Sequence, residues 1–329
     1  MADISVQWGD DTLTIPLPSS WTVRQTAIPT IAPASDDWPE RLARALTRPE
    51  AMPPLGEILS KNPQARIAII VEDVTRYSPL PKILEIIFRE IRYAGIQNEN
   101  IEIIFATGMH RPLTDNEAIQ KIGQFAQQIR WRCNPWKDRN AYVHLGMVED
   151  TGYRMEVLMD RGVVEADLRI IISSVSPHLQ AGFGGGYKML IPGCAHLETI
   201  RRLHLSNIPR RARQQVGQNS NNNRMRRLID KAGKLVDSIH GTSFSIQYIL
   251  DMKGDISQVA TGDVITCHRM LAKRCSATCG IVLDAPGDIV ITSAYPRDFD
   301  LWQSFKCLSL IHISEPTRPR LISYAVFCL

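Results

Sequence analysis

Polar and ionisable side chains come directly after four predicted strands, at the point where each strand ends. The four segments are residues 72–76, 106–112, 173–178 and 293–306. Because ligands bind beyond the carboxyl ends of the strands in an open parallel sheet, we expect side chains from these segments to form one site. The histidine, arginine and aspartate residues among them are suited to proton transfer and to binding a small carboxylate.

A glycine-rich segment ends at Lys188 and lies between His178 and His204. Its four glycines are Gly182, Gly184, Gly185 and Gly186. Glycine lets the backbone approach an anion closely, but the spacing is neither that of a Walker A loop nor that of a dinucleotide-binding fingerprint. A flexible turn would explain the glycines alone. The adjacent lysine and the two flanking histidines favour a site in which Lys188 binds a phosphate or a covalently linked cofactor.

Several of these residues also have a structural explanation. His110 by itself is consistent with a turn residue bonded to the backbone, and His204 with a cap at the end of a helix. We predict structural positions for the other histidines, namely His144, His196, His240 and His268. The core is predicted to include Met147, Met155 and Met159.

Strands that alternate with helices must position these segments. Short apolar runs predict strands at residues 67–71, 101–105, 168–172, 244–250, 281–283 and 288–292. A helix is predicted to open at Pro79 and Pro81, another to begin at a capping box formed by Thr114 and Glu117, and a third to span residues 195–203. Alternating apolar residues around Gly9 predict an N-terminal β-hairpin. The pattern indicates an α/β fold with a largely parallel sheet.

The composition limits the class of protein. A hydrophobic content of 44% and a charged content of 22% are typical of soluble globular proteins, and 329 residues suggest two domains. Seven cysteines without a C-x-x-C pair indicate reduced thiols. The first residues lack the features of a signal peptide, and no apolar run is long enough to span a bilayer. We therefore expect a cytoplasmic protein.

Eight arginines are concentrated between residues 201 and 227, although the net charge of the chain is only +4. No nucleic-acid-binding motif accompanies them. We interpret the cluster as a solvated helix face and loop rather than as a nucleic-acid site. A basic rim that attracts small anions is the alternative.

Seven sequence blocks occur in a characteristic order. They are Asp73-x-Thr75-Arg76, Gly108-x-His110-Arg111-Pro112, His178-x-x-Ala181-Gly182-Phe183-x-Gly185-Gly186-x-Lys188, Pro192-Gly193, Thr199-Ile200 with His204, Gly262-Asp263 with His268, and Gln303-x-x-Lys306. Their order and spacing resemble those of the lactate racemase family from the start of the chain to Lys306. The sequence departs at Val74 and Tyr77, where the lactate enzymes tend to carry His and Pro, so the resemblance leaves the exact substrate open.

The resemblance implies a racemase or epimerase of a 2-hydroxy acid that uses a nickel-pincer nucleotide. This cofactor is a pyridinium-3-thioamide-5-thiocarboxylic acid mononucleotide that carries nickel. Lys188 matches the lysine that binds the cofactor covalently, and His204 matches the histidine that ligates the nickel. The four glycines named above are expected to contact the same cofactor.

The remaining matched residues are implied to act on the substrate. His110 and His178 match a pair of acid–base histidines. Substrate contacts are implied for Asp73, Arg76, Gln303 and Lys306. The expected partners are a small 2-hydroxy acid and the enzymes that synthesise and insert the cofactor, without nucleic acid or membrane.

Such a reaction explains why these residue types are needed. The Cα–H of a 2-hydroxy acid is a poor acid, so its removal as hydride, while the hydroxyl proton leaves, avoids a carbanion. A histidine, with an ordinary pKa of about 6.5, can take that proton at neutral pH. Inversion needs a base for either enantiomer, which explains two histidines.

One alternative is a zinc hydrolase with His110, His178 and His204 as ligands. Another is a remnant that binds the cofactor without turnover.

We expect two α/β domains with the active site between them. Residues 1–257 are predicted to form the N-terminal cofactor-binding domain, and residues 258–306 the start of a C-terminal domain. The resemblance stops after Lys306. Residues 307–329 resemble translated adapter DNA, so we expect a non-native tail and a truncated second domain.

Overall fold

A computed structural model describes residues 3–8, 11–26, 30–206, 217, 222–280, 288, 289, 291 and 293 of the chain. The chain divides into two compact units. One comprises Met1–Pro29, Arg211–Gln214 and Cys279–Leu329, and the other comprises Thr30–Arg210 and Gln215–Thr278. Gln303, Lys306 and the predicted tail lie outside the described residues, as does the strand predicted at 281–283. The strand predicted at 288–292 is described only in part.

Strands and helices alternate along most of the described chain. The strands are β1 (Asp3–Trp8), β2 (Asp11–Pro16), β3 (Ile67–Val71), β4 (Ile101–Phe105), β5 (Arg130–Cys133), β6 (Tyr142–Asp150), β7 (Tyr153–Asp160), β8 (Leu168–Ser174), β9 (Pro177–His178), β10 (Gly182–Phe183), β11 (Thr242–Leu250) and β12 (Ile256–Gly262). The α-helices are α1 (Trp38–Thr47), α2 (Leu55–Ser60), α3 (Leu80–Tyr93), α4 (Asp115–Ile122), α5 (Phe125–Gln128), α6 (Arg161–Glu165), α7 (Leu197–Leu205), α8 (Arg224–Ile239) and α9 (Val264–Cys279).

A six-stranded sheet in the order β12-β11-β8-β3-β4-β5 forms the centre of the larger unit. The pairs β11–β8, β8–β3, β3–β4 and β4–β5 are parallel, and β12 pairs antiparallel at one edge. This arrangement confirms the predicted α/β fold with a largely parallel sheet. The chain runs from β3 to β4 and β5 on one side, whereas β8 lies on the other. The strand order therefore reverses beside β3, where open α/β sheets bind their ligands.

Both faces of this sheet are buried, which explains why its strands are nearly continuous apolar runs. Ile69 on β3 packs into a core with helices α1 to α5, and Ile83 and Ile87 of α3 lie in the same core. The neighbouring Ile70 points to the opposite face and packs into a second core. That second core includes residues of β7, α7 and α8. The sheet is therefore a rigid support for the loops at its edge.

The structure confirms the local predictions and corrects two of them. Strands β3 and β4 have the predicted bounds, β1 and β2 pair as a hairpin, and Thr114 and Glu117 form the capping box. Met155 and Met159 are buried as predicted, but Met147 is 48% exposed, so its prediction as a core residue was wrong. Arg226 is completely buried. The solvated face predicted for the arginine cluster was therefore wrong at that residue, because the Arg226 guanidinium binds the backbone carbonyls of Phe183 and Gly185 in the protein interior.

Candidate active site

Asp73 and His110 form a close pair at the carboxyl edge of the sheet. Nδ1 of His110 lies 2.5 Å from Oδ2 of Asp73. Asp73 follows β3, His110 follows β4, and these strands are adjacent and parallel. The side chain of Asp73 is 8% exposed and that of His110 is 49% exposed. Because a carboxylate only accepts hydrogen bonds, Nδ1 of His110 carries the proton, and Nε2 is the nitrogen with an available lone pair.

The charge of Asp73 is fixed by its neighbours. Burial would raise the pKa of this carboxyl group, but hydrogen bonds from His110 and Thr75 outweigh burial and lower the pKa to about 2. The Thr75 hydroxyl lies 2.6 Å from Oδ1 of Asp73, and the Thr75 backbone N–H donates to the same oxygen at 3.0 Å. Arg76 in turn donates to the Thr75 hydroxyl at 3.0 Å. Asp73 is therefore ionised at neutral pH and holds the His110 ring in one orientation.

A buried polar layer supports this loop from below. Glu72 accepts hydrogen bonds from the hydroxyl of Ser78 and, at 3.1 Å, from that of Ser174 at the end of β8. Lys121 of α4 is also buried, lies 3.9 Å from Glu72 and donates to the backbone carbonyl of Arg76. Burial lowers the pKa of Lys121. Glu72 thus joins the ends of β3 and β8 across the point where the strand order reverses.

His178 is held in a different way. Its Nδ1 accepts hydrogen bonds from the backbone N–H groups of Gln180 at 3.2 Å and Ala181 at 3.1 Å. A ring nitrogen that accepts cannot also carry a proton, so the neutral His178 ring carries its proton on Nε2. His110 and His178 therefore present opposite groups through Nε2: His110 an acceptor and His178 a donor.

The segment that carries Lys188 is tied to the His110 loop. Residues Gly186–Met189 form a 3-10 helix, and the N–H of Gly193 donates to the carbonyl of Lys188 at 3.3 Å. The carbonyl of Gly193 accepts from the N–H of Gly108 at 2.9 Å. A side chain on Gly193 would clash with the backbone of Met189. Glycine is needed there because the two segments approach so closely.

Two glycines of the glycine-rich segment already bind the protein through their N–H groups. Gly184 donates to the carbonyl of Ser176 at 2.8 Å, and Gly186 donates to the hydroxyl of Ser173 at 3.3 Å. Gly185 has a φ of +79°, and a Cβ there would lie 2.9 Å from the carbonyl oxygen of Ser174. The segment therefore follows the end of β8 closely, and its contacts with a cofactor stay a prediction.

His204 lies in the last turn of α7, where its Nδ1 donates to the carbonyl of Ile200 at 2.7 Å. This contact leaves Nε2 as the nitrogen that can bind a metal, which is the usual arrangement of a ligating histidine. Burial lowers the pKa of His204, and the charge of Lys188 lowers it further. A neutral His204 near Lys188 fits a metal held partly by a lysine-bound cofactor.

The hydroxyl oxygen of Thr107, next to the His110 loop, is buried without a hydrogen-bond partner among the described residues.

The three histidines do not form a metal-binding group with one another. Among the described residues, no three or more His, Cys, Asp or Glu side chains lie close enough together to hold a metal ion. The structure therefore gives no support to a zinc site made of His110, His178 and His204.

No helix of the described part of the chain is long and apolar enough to cross a membrane.

Sequence reasoning missed the supporting residues of the site. Glu72 was part of a predicted segment but had no assigned role. Lys121 was not singled out, and Arg226 was assigned to a solvated helix face and loop. The polar residues that follow β3 and β8 were the only signal for the buried layer. Gln303 and Lys306 lie outside the described residues, so their predicted substrate contacts stay predictions.

A largely parallel sheet with a bonded carboxylate–imidazole pair at its switch point defines an α/β protein with a candidate site at that edge. Residues 8–216 match the family model of the lactate racemase N-terminal domain, which is more than half of the chain. The chain therefore belongs to the lactate racemase family. This membership confirms the predicted resemblance and makes the chain a member of an isomerase family.

Named relatives and solved structures agree with this assignment. A lactate racemase from Thermoanaerobacterium thermosaccharolyticum is 28% identical over 314 residues, which cover 93% of this chain and 70% of the relative. A lactate racemase from Lactiplantibacillus plantarum is 28% identical over 244 residues, covering 73% of this chain and 55% of the relative. The chain thus spans between about half and 70% of these relatives.

The structure of the lactate racemase apoprotein from Thermoanaerobacterium thermosaccharolyticum has a TM-score of 0.80 and 25% identity to this chain. The match covers 95% of this chain and 72% of that one. A protein from Thermotoga maritima has a TM-score of 0.64 at 19% identity and covers 78% of this chain and 63% of its own. The second match supports the fold alone.

Proposed function

We propose that this chain is a racemase or epimerase of a lactate-like 2-hydroxy acid that works by proton-coupled hydride transfer to a nickel-pincer nucleotide. The observation that carries the proposal is the 2.5 Å contact between His110 and Asp73. That contact prepares a proton acceptor at the same sheet edge as the Lys188 segment. Membership of the lactate racemase family supports the reaction class.

Lys188 would hold the cofactor covalently, and Nε2 of His204 would ligate its nickel. Nδ1 of His204 is already bonded to the carbonyl of Ile200 at 2.7 Å, so its free lone pair lies on Nε2. The glycines from Gly182 to Gly186 would bring the backbone close to the nucleotide. The enzymes that make and insert the cofactor would be its partners in the cytoplasm. When bound, the cofactor would supply a reversible acceptor for the Cα hydrogen of the substrate and its electron pair.

Two histidines of opposite proton state are suited to inversion. Nε2 of His110 takes the hydroxyl proton of one enantiomer, because its Nδ1 proton is held by Asp73. Nε2 of His178 carries a proton in the neutral ring, because backbone N–H groups hold its Nδ1. His178 can therefore donate a proton to the carbonyl oxygen of the planar 2-keto acid, which restores the hydroxyl group of the opposite enantiomer. The Arg76 guanidinium offers a bidentate fork for the substrate carboxylate.

The test of the mechanism uses a 2-hydroxy acid that carries deuterium at Cα. The loaded chain is incubated with one enantiomer in ordinary water, and the opposite enantiomer is analysed by mass spectrometry. We expect most of the deuterium in the inverted product, because the same hydrogen leaves and returns. Complete loss of the label to solvent would show simple proton abstraction and would overturn the proposal.

The test of the cofactor site is the intact mass of the chain produced together with the pincer-synthesis enzymes. We expect an adduct of the nucleotide on the parent chain and on Lys234→Ala, which changes an exposed lysine of α8. The Lys188→Ala variant should carry none. An adduct without turnover would identify the chain as a cofactor-binding protein, and a folded chain without an adduct would remove Lys188 from this function.

A further inference from the structure

Four residues of α8 lie on one face of the helix and all contact the glycine-rich segment or the tyrosine before Lys188. They are Asn223 at the N-cap, Arg226, Gly233 and Asp237. We propose that this face of α8, with Arg226 at its centre, is a positioning surface that fixes the backbone carrying Lys188. The proposal rests on the proposed function for the importance of Lys188, but its geometry does not depend on the cofactor.

Arg226 binds two carbonyl groups of the glycine-rich segment. Its guanidinium donates to the carbonyl of Gly185 at 3.2 Å and to the carbonyl of Phe183. One turn earlier, the side-chain amide of Asn223 donates to the carbonyl of Gln180 at 2.8 Å. Arg226 is completely buried, so water does not compete for these bonds. Hydrogen bonds from a charged donor are among the stronger ones in proteins.

The second half of the same helix face holds Tyr187. Its ring lies against Gly233, where an added Cβ would come within 2.1 Å of the ring. Its hydroxyl donates to Asp237 at 2.5 Å. Because Tyr187 directly precedes Lys188, these contacts fix the backbone at the start of the lysine residue. Positions 226, 233 and 237 are seven and four residues apart, so they share one side of an α-helix.

His268 of α9 also binds the backbone of the glycine-rich segment. Its Nε2 donates to the carbonyl of Gly184 at 2.9 Å, between the two carbonyls that Arg226 binds. Burial, together with the charges of Arg226 and Arg269, holds the pKa of His268 well below its usual value, so the ring is a neutral donor. Three consecutive carbonyls, from residues 183 to 185, are thus bound by α8 and α9. A Cβ at Gly186 would lie 3.2 Å from the His268 ring, which favours glycine there.

The charges behind the segment have a net positive sign. Arg226 and Arg269 both lie next to the carboxylate of Asp230. This carboxylate lies 3.9 Å from the Arg226 guanidinium and accepts a hydrogen bond from Arg269. Two cations and one anion leave one positive charge near a segment predicted to bind a nucleotide. Charge interactions are strengthened by burial, so this cluster would favour an anionic group on the segment as well as fixing its shape.

The experiment measures amide hydrogen exchange of the full chain by mass spectrometry, without cofactor. In Arg226→Met we expect exchange in residues 182–189 to quicken roughly tenfold to a hundredfold, as loss of charged hydrogen bonds implies. Exchange in β8 should stay within about twofold of the parent, because its ladder does not depend on Arg226. Arg226→Lys should lie between the two, since an ammonium group keeps the charge but does not span both carbonyls.

The matched control is Arg132→Met. Arg132 makes a forked ion pair with Asp160 at 2.7 Å and 2.6 Å, and no contact of this pair reaches the glycine-rich segment. This variant should lose stability without quickening exchange in residues 182–189 selectively. If Arg226→Met does not fold, the Tyr187→Phe variant tests the proposal instead, because it removes only the hydrogen bond from the tyrosine hydroxyl to Asp237. We then expect exchange about threefold to tenfold faster in residues 182–189.

A second readout links the geometry to the lysine. The fraction of chain that carries the nucleotide adduct should fall at least tenfold in Arg226→Met and stay at the parent level in Arg132→Met. Unchanged exchange in both Arg226→Met and Tyr187→Phe would overturn the proposal, and so would an equal increase in residues 182–189 and in β8. Failure of the parent chain to form any adduct would overturn the proposed function alone, because hydrogen exchange is measured without cofactor.

Discussion

Nδ1 of His110 lies 2.5 Å from Oδ2 of Asp73, although 37 residues separate them in the sequence. The parallel register places Val71 of β3 opposite Phe105 of β4. Asp73 lies two residues beyond the first strand and His110 five residues beyond the second, where a tight turn closed by the His110 N–H and the Thr107 carbonyl brings the ring back. Two loops of different length therefore meet at one hydrogen bond.

We expect Asp73→Asn to lower the racemisation rate by roughly a hundredfold to ten-thousandfold. The amide can donate to Nδ1 of His110, which would move the ring proton to Nε2 and remove the proton acceptor. The measurement is kcat for each enantiomer of the substrate. Asp150→Asn is the control, since Asp150 is buried to a similar extent. Its carboxylate lies 2.7 Å from the Arg227 guanidinium and does not contact Asp73 or His110. Equal losses in both variants would contradict the assignment.

The free energy of unfolding should depend on pH through Asp73. Its pKa is lowered from 3.8 to about 2 in the folded chain, so its contribution is present above about pH 4 and is lost as the pH falls towards 2. The shift corresponds to about 2 kcal/mol. Urea unfolding at pH values from 6 to 2 should show a shallower decline for Asp73→Asn than for the parent. Identical slopes would show that the contact contributes no stability.

Replacing His204 by alanine should abolish nickel retention while leaving the fold intact. His204 is half-buried in the last turn of α7, and its hydrogen bond among the described residues is to the carbonyl of Ile200 in its own helix. Nickel bound per chain, measured by mass spectrometry after gel filtration, should fall at least tenfold. The control is His144→Ala, because His144 pairs with Glu156 in the β6–β7 hairpin. Nickel loss in both variants would point to general damage.

Gly233→Ala should destabilise the chain, although alanine is the better helix former. Alanine in place of glycine ordinarily stabilises a helix by roughly 0.5–1 kcal/mol. At Gly233 the added Cβ would meet the Tyr187 ring at 2.1 Å, so we expect a net loss of about 1–3 kcal/mol. Gly56→Ala in α2 is the comparison, because its Cβ would meet only the flexible end of Glu90 at 2.9 Å. Urea unfolding of both variants measures whether each substitution raises or lowers the free energy of unfolding.

Local patterns predicted the parts of the fold that local physics controls. The apolar run from Ile67 to Val71 and the pairing of Thr114 with Glu117 depend on near neighbours, and both have the predicted structure. The rule for parallel sheets also predicted that residues after β3, β4 and β8 would lie at one edge, and the contacts of Asp73 with His110 and of Glu72 with Ser174 confirm it. The β6–β7 hairpin was missed, since its strands carry mixed polar and apolar residues.

Only the tertiary structure decided how these residues act. Arg226 stands in the sequence beside other arginines and gives no sign of burial, because its partners at residues 183 and 185 are more than 40 positions away. The proton position on each histidine was equally out of reach, since a carboxylate fixes it at His110 and backbone N–H groups fix it at His178. The sequence by itself determined the residue types, several strands of the central sheet and the family. Hydrogen bonds that form only on folding decided which ring nitrogen of His110 and of His178 carries the proton.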